Sequence, residues 1–198
     1  MKYSEQVFVV SLPRTGTTSM CKMLNVLGYK AKHVPSCFYE KWVKEGYNAF
    51  ADTPCFTPTF IKERSITNPN SKFIYLDKSV DAWIDSFESV KLHESYNKLL
   101  NIKNPELLNV VNINEILAYG EVFGFNGIYD KDHFKAMSIL HKRNVESLLP
   151  KDQLLHYDFT MGWEPLCKFL KKEVPLVEMP RLNLRGIIED NYENHSTD

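Results

Sequence analysis

Short apolar runs alternate along this chain with longer stretches in which apolar positions recur every three to four residues. Val7-Phe-Val-Val10 opens the series and predicts a strand over 7–11, and the stretch from Met20 to Leu27 predicts a helix over 16–27 closed by Gly28. A short strand near 30–34, a helical stretch over 38–47 and a loop through Asp52 follow. Thr57 and Pro58 form the clearest start signal, an N-cap hydroxyl followed by proline at the first helical position, for a helix over 58–66. Lys72-Phe-Ile-Tyr-Leu76 predicts a strand over 73–77, with a helix over 80–92 behind it. Helices lie somewhere in 95–118, then a helix spans 130–148, a strand 153–157 and a last helix 163–171. Strands rich in Val, Ile, Leu and Phe that alternate with helices build right-handed βαβ units, so the expected class is α/β with a mainly parallel central sheet. Ligands of such sheets sit outside the carboxyl ends of the strands.

Composition narrows the setting. The 198 residues are 43% hydrophobic and 25% charged, and a chain of this length buries roughly 70% of its unfolded surface around one core. Neither linker nor internal repeat divides it, so one domain over 1–198 is expected, with a helical insert at 91–128 and a polar tail at 186–198. The 24 Lys plus Arg nearly balance 25 Asp plus Glu. No global field then favours nucleic acid or an anionic membrane as partner. The first apolar run is too short for a signal segment or a membrane span, which predicts a cytoplasmic protein. Cys21, Cys37, Cys55 and Cys167 lack metal-site spacing and are expected as free thiols, with no metal bound.

Candidate chemistry concentrates in Ser11-Leu-Pro-Arg-Thr-Gly-Thr-Thr-Ser19, between the first strand and the first helix. Backbone N–H groups of such a turn converge on an anion, and the helix dipole adds roughly 0.3–1 kcal/mol of attraction. Gly16 permits close approach, while Thr17 and Thr18 offer hydroxyls. Against the triphosphate pattern G-x-x-x-x-G-K-S/T, the segment keeps Gly16 and Thr18 but has Ser11 for the first glycine and Thr17 for the lysine. The nearest cation is Arg14, whose guanidinium can fork onto two oxygens of a phosphate-like group. A phosphate-bearing donor other than an ordinary triphosphate is implied.

These residues resemble the sulfotransferases that use 3'-phosphoadenosine 5'-phosphosulfate, in particular small soluble members whose loop reads P-R-T-G-T-T-S. The resemblance implies a three-layer P-loop-like fold, in which Arg14, Thr15, Gly16, Thr17, Thr18 and Ser19 grip the 5'-phosphosulfate. It also covers the strand ending at Leu76 and the helix after it, where the family places an arginine and, eight residues on, a serine that hold the 3'-phosphate. Here the pair is Lys78 and Ser86. Lysine keeps the charge but loses the fork, which predicts weaker 3'-phosphate affinity; read alone, the pair is a solvated lysine and an exposed serine. Gly162-Trp-Glu-Pro-Leu-Cys-Lys-Phe-Leu170 is similar to a family segment too, although Trp163, Leu166, Phe169 and Leu170 have the spacing of core residues.

The resemblance implies transfer of a sulfuryl group to a hydroxyl or amine of a small-molecule or glycan acceptor, leaving adenosine 3',5'-bisphosphate, with Arg14 and the loop amides at the leaving oxygen. Relatives carry Asp-x-Pro or His-x-Pro where this chain has Asp52-Thr-Pro54, which makes Asp52 the candidate general base, its pKa raised if burial dominates. Asp52 reads equally as the cap of a turn before Pro54. His33 is a lesser candidate base, Arg181 and Arg185 are candidates to close over the 3'-phosphate, and the insert at 91–128 is expected to cover the acceptor. Tyr39, Trp42, Tyr47, Phe50 and Phe56 suit an acceptor wall or the core. Two other readings stay open: a nucleotide or nucleoside kinase with a degenerate phosphate loop, and a catalytically silent nucleotide-binding module.

Overall fold

The computed structural model describes residues 5–35, 38–90, 110–124 and 129–180. Arg181, Arg185, Cys37, the tail and most of the 91–128 insert lie outside the described residues. Five strands form one sheet: β1 (Val7–Val9), β2 (Ala31–His33), β3 (Ala49–Ala51), β4 (Lys72–Leu76) and β5 (Leu154–Tyr157). Their order is β2-β3-β1-β4-β5, and every pairing is parallel. Among the described residues the helices are α1 (Thr17–Val26), α2 (Tyr39–Lys44), α3 (Pro58–Thr67), α4 (Val80–Ser89), α5 (Val110–Phe123), α6 (Lys131–Leu148) and α7 (Trp163–Leu170), and Phe159–Met161 form a 3-10 turn.

The central strand explains the layering. Val7, Phe8 and Val9 have no exposed surface, as expected for a parallel strand covered on both faces. Val7 and Val9 meet Met20 and Leu24 of α1 and Leu166 and Leu170 of α7. Phe8 and Val10 meet Phe50, Phe73, Tyr39, Ile61 and Val145 on the opposite side. A third cluster, including Leu12, Phe56, Trp83, Tyr119 and Phe134, joins α4, α5 and α6 to the loop after β1. No helix among the described residues is long and apolar enough to cross a membrane.

Two expectations are corrected. The segment before Asp52 is not a loop, because Ala49-Phe-Ala51 is a strand inserted between β1 and β2, in register Phe8 with Phe50 and His33 with Ala51. Three residues carry too little periodicity to announce a strand; ladders on both edges supply the stability instead. The helices placed within 95–118 are corrected at their end as well, because α5 continues to Phe123. α5 runs through Asn112, Asn114 and Gly120 and ends at Gly124, whose φ is 86°. Tertiary burial of Ala118, Tyr119, Val122 and Phe123 overrides the roughly 1 kcal/mol cost of an interior glycine, with the Phe123 ring stacked 4.4 Å from that of Phe134.

Because β1 has β3 on one side and β4 on the other, the chain reverses its winding direction between β1 and β4. Ligand crevices of doubly wound sheets open at such a switch point.

Candidate functional site

The turn from β1 into α1 is held by its neighbour. Trp83 Nε1 donates to the Pro13 carbonyl at 2.8 Å, Lys78 Nζ donates to the Arg14 carbonyl at 2.9 Å, and Thr15 Oγ1 donates to the Leu12 carbonyl at 2.7 Å. Arg14 and Gly16 both lie in the left-handed region, with φ of 71° and 109°. A Cβ on Gly16 would stand 2.6 Å from the Phe159 ring. The close approach that requires glycine here is therefore made by a side chain of the chain itself. α1 begins at Thr17 with no side-chain cap and no acidic residue in its first turn. Its leading N–H groups have no intrahelical acceptor and carry the positive end of the helix dipole. Thr17 and Ser19 are buried there, whereas Thr18 is exposed.

Two cations meet on the β4 side of this turn. Arg14 is half-buried, its Nε is buried without a hydrogen-bond partner, and it makes no ion pair with any described residue. Burial, together with the Arg14 charge, pushes the Lys78 pKa below the usual lysine value. Beside them a cavity of about 340 Å3 opens at the switch point, lined by Leu12, Thr15, Lys78, Trp83, Lys142 and Arg143, among others. Its acidic residues are already engaged: Asp77 accepts from Lys142 at 2.5 Å and lies 3.3 Å from His156, which stands 3.5 Å from Glu146. Ser86 is half-buried in α4 and does not line this cavity. Arg14 and Lys78 are thus brought together, and Ser86 is not seen to join them. Lys142 and Arg143 escaped sequence reading because they share the 130–148 helix with many other charged residues.

On the β3 side the charges have the opposite sign. Asp52 closes β3 with φ of 70° and precedes a cis Thr53–Pro54 bond. Its Oδ1 accepts from the Thr53 N–H at 2.9 Å, and its Oδ2 accepts from Thr17 Oγ1 at 3.3 Å and lies 3.5 Å from His33 Nε2. His33, at the end of β2, places that same nitrogen 3.0 Å from Thr17 Oγ1 and 3.3 Å from Thr18 Oγ1. The raised pKa expected for Asp52 is overturned. Burial does push it up, but His33 and the donors from Thr53 and Thr17 outweigh burial and hold the carboxyl below its ordinary value. The Asp52 charge also reaches its surroundings, helping burial to push the Cys21 thiol up to about 12 and to raise the Glu115 carboxyl.

Glu115 and Tyr119, one turn apart on α5, were not singled out by sequence. Tyr119 packs against Phe56 with ring centroids 5.6 Å apart, which carries α5 over the Asp52 loop. Of the aromatic residues weighed as an acceptor wall, Tyr39, Phe50 and Phe56 are buried in the core, and Trp42 and Tyr47 pack against it. His141, also buried, donates from Nε2 to the Phe56 carbonyl at 2.8 Å, and burial pushes its pKa down to about 4.

The sulfotransferase domain family matches residues 6–45 and 38–188, which includes the β1 turn, Asp52, Lys78 and the α7 segment. The chain belongs to the sulfotransferase domain family. It is also similar to Ava biosynthesis cluster protein M of Aspergillus versicolor, at 26% identity over 218 aligned residues that cover 89% of this chain and 80% of that protein. The five-stranded parallel sheet with flanking helices agrees with the fold the family implies, and the family indicates a transferase of sulfuryl groups.

Proposed function

We propose that this protein moves a sulfuryl group from 3'-phosphoadenosine 5'-phosphosulfate to a hydroxyl or amine of a small-molecule or glycan acceptor in the cytoplasm. The observation that carries the reading is the pair of cations at one end of the sheet: Arg14 without any described carboxylate partner, and Lys78 beside it against a cavity. Like charges that are held close without counter-ions favour a multiply anionic ligand. In this reading Arg14 and the N–H groups from Thr15 to Ser19 hold the 5'-phosphosulfate and the charge that develops on its leaving oxygen. Lys78 takes the 3'-phosphate, with Ser86 as its helper from α4. Asp52, on the other flank, belongs to acceptor activation.

A kinase is disfavoured, since Thr17 occupies the place of the lysine that triphosphate loops use. The deciding experiment is calorimetric titration with adenosine 3',5'-bisphosphate and, separately, with ATP and Mg²⁺. A clear preference for the bisphosphate is expected; a preference for ATP and Mg²⁺ refutes the assignment. Release of sulfate from the donor then distinguishes an enzyme from a silent binder.

A further inference from the structure

One ring nitrogen in this molecule touches three side-chain oxygens of the site. His33 Nε2 lies 3.0 Å from Thr17 Oγ1, 3.3 Å from Thr18 Oγ1 and 3.5 Å from Asp52 Oδ2. We propose that His33, rather than Asp52, takes the proton from the acceptor, and that Asp52 is a positioning residue that stabilises the imidazolium so formed. This inference rests on the sulfuryl-transfer reading above.

The geometry separates the two groups by availability. Asp52 is already occupied at both oxygens, Oδ1 by the Thr53 N–H and Oδ2 by the Thr17 hydroxyl and His33. Its side chain retains 14% of its exposure, against 34% for His33. A carboxylate held by several donors keeps its negative charge and binds a proton poorly. The lowered Asp52 pKa agrees. An imidazole next to such a carboxylate is better suited to accept a proton, because the cation that results is paired at once. With the proton on Nε2, directed at Asp52 Oδ2 and at the two threonine hydroxyl oxygens at the mouth of α1, Nδ1 has no hydrogen-bond partner among the described residues and is the nitrogen left to accept a proton. Those hydroxyls border the place where the sulfuryl group would sit.

Other titratable groups around the dyad do not compete for this task. Lys32, the neighbour of His33 on β2, lies with its ammonium 3.9 Å over the Trp42 ring. The Cys21 thiol on α1 and the Tyr119 hydroxyl on α5 are held protonated by burial and by the Asp52 charge. Glu115 is raised by burial and by Asp52, and Arg14 lies toward the β4 flank.

The step balances without a further reactant. An acceptor oxygen or nitrogen forms a bond to sulfur while the bond from sulfur to the bridging oxygen of the 5'-phosphate breaks. The electron pair of that bond stays on the phosphate oxygen, facing Arg14 and the loop N–H groups. The acceptor proton passes to His33 Nδ1 while Nε2–H stays directed at Asp52 Oδ2, and it is released to solvent before the next turnover.

The test compares wild type, His33→Gln and Asp52→Asn by bisphosphate affinity, by the pH profile of sulfate loss from the donor with water or 2-naphthol as acceptor, and by NMR titration of the histidine rings. His33→Gln is expected to lose about 100-fold or more in kcat and the rising limb of the profile, while bisphosphate affinity stays within about threefold. Asp52→Asn is expected to keep that limb, move it to lower pH and lower the His33 ring midpoint, since the imidazolium loses its counter-charge. Loss of the limb in Asp52→Asn with its retention in His33→Gln overturns the assignment. A wild type that binds the bisphosphate yet transfers sulfate to neither acceptor overturns it too. Failure to bind the bisphosphate refutes the proposed function instead, and the ring titration still decides the dyad: an unmoved midpoint in Asp52→Asn eliminates it.

Discussion

The two flanks of the β1 turn are built on the same plan and carry opposite charge. On the β4 flank, the strand ends at Leu76 and delivers Lys78 beside Arg14, against a cavity that Arg143 also lines. On the β3 flank, the strand ends at Ala51 and delivers Asp52 beside His33, bonded to the Thr17 hydroxyl. One turn of main chain stands between two cations that have no carboxylate partner among the described residues and one carboxylate that has several donors. The contrast teaches that the turn acts as a divider: an anionic ligand is drawn to the cationic flank, while proton transfer suits the flank where a charge is already balanced.

The largest effect that sharpens this contrast is expected from Arg14→Ala. It removes the nearest guanidinium from the leaving oxygen but leaves Asp52 and His33 untouched. Turnover should fall about 100-fold or more, the scale of deleting one oxyanion-stabilising donor, measured as sulfate transfer at saturating donor. An unchanged rate would sink that role and leave Arg14 as a purely structural part of the turn.

How much of this division was readable beforehand depended on how local each signal is. Thr57 with Pro58 marked the start of α3, and the Thr57 hydroxyl does accept from the Phe60 N–H at 3.3 Å. The loop from Ser11 to Ser19 lay where a strand hands over to a helix, because its apolar run and its Gly16 are contiguous in the chain. The sign of the Asp52 shift was not readable, since it is set by partners distant in sequence, Thr17 being 35 residues away. β3 escaped notice for a related reason: its stability comes from two neighbouring strands rather than from Ala49, Phe50 and Ala51 themselves. Lys142 and Arg143 reach the cavity only because α6 packs beside α4, a tertiary fact with no trace in the spacing of their own helix.

A smaller effect separates the two ends of the ligand within the cationic flank. Lys78→Ala should weaken adenosine 3',5'-bisphosphate by roughly 12- to 150-fold, the 1.5–3 kcal/mol range of a hydrogen bond to a charged group. Adenosine 5'-monophosphate, which lacks the 3'-phosphate, should weaken much less. Because Lys78 also ties the Arg14 carbonyl, a general loosening of the turn would affect both ligands alike. The ratio of the two Kd values therefore isolates the 3'-phosphate contact, and a ratio equal to that of wild type would place the 3'-phosphate elsewhere.

The smallest effect concerns stability on the acidic flank. Asp52 has a folded pKa below its unfolded value, which is about 3.9 for a free aspartate. A depressed carboxylate contributes stability that is complete above the unfolded pKa and is lost as pH falls through the folded one. Wild type should therefore exceed Asp52→Asn by about 1 kcal/mol at neutral pH, the net scale of one buried hydrogen bond. The gap should narrow only below about pH 4, where the carboxyl begins to protonate. Denaturant titrations of both proteins between pH 3 and 7 measure it. A gap that persists unchanged down to pH 3 would show that the Asp52 charge is not what stabilises the acidic flank, and its order would then come from packing alone.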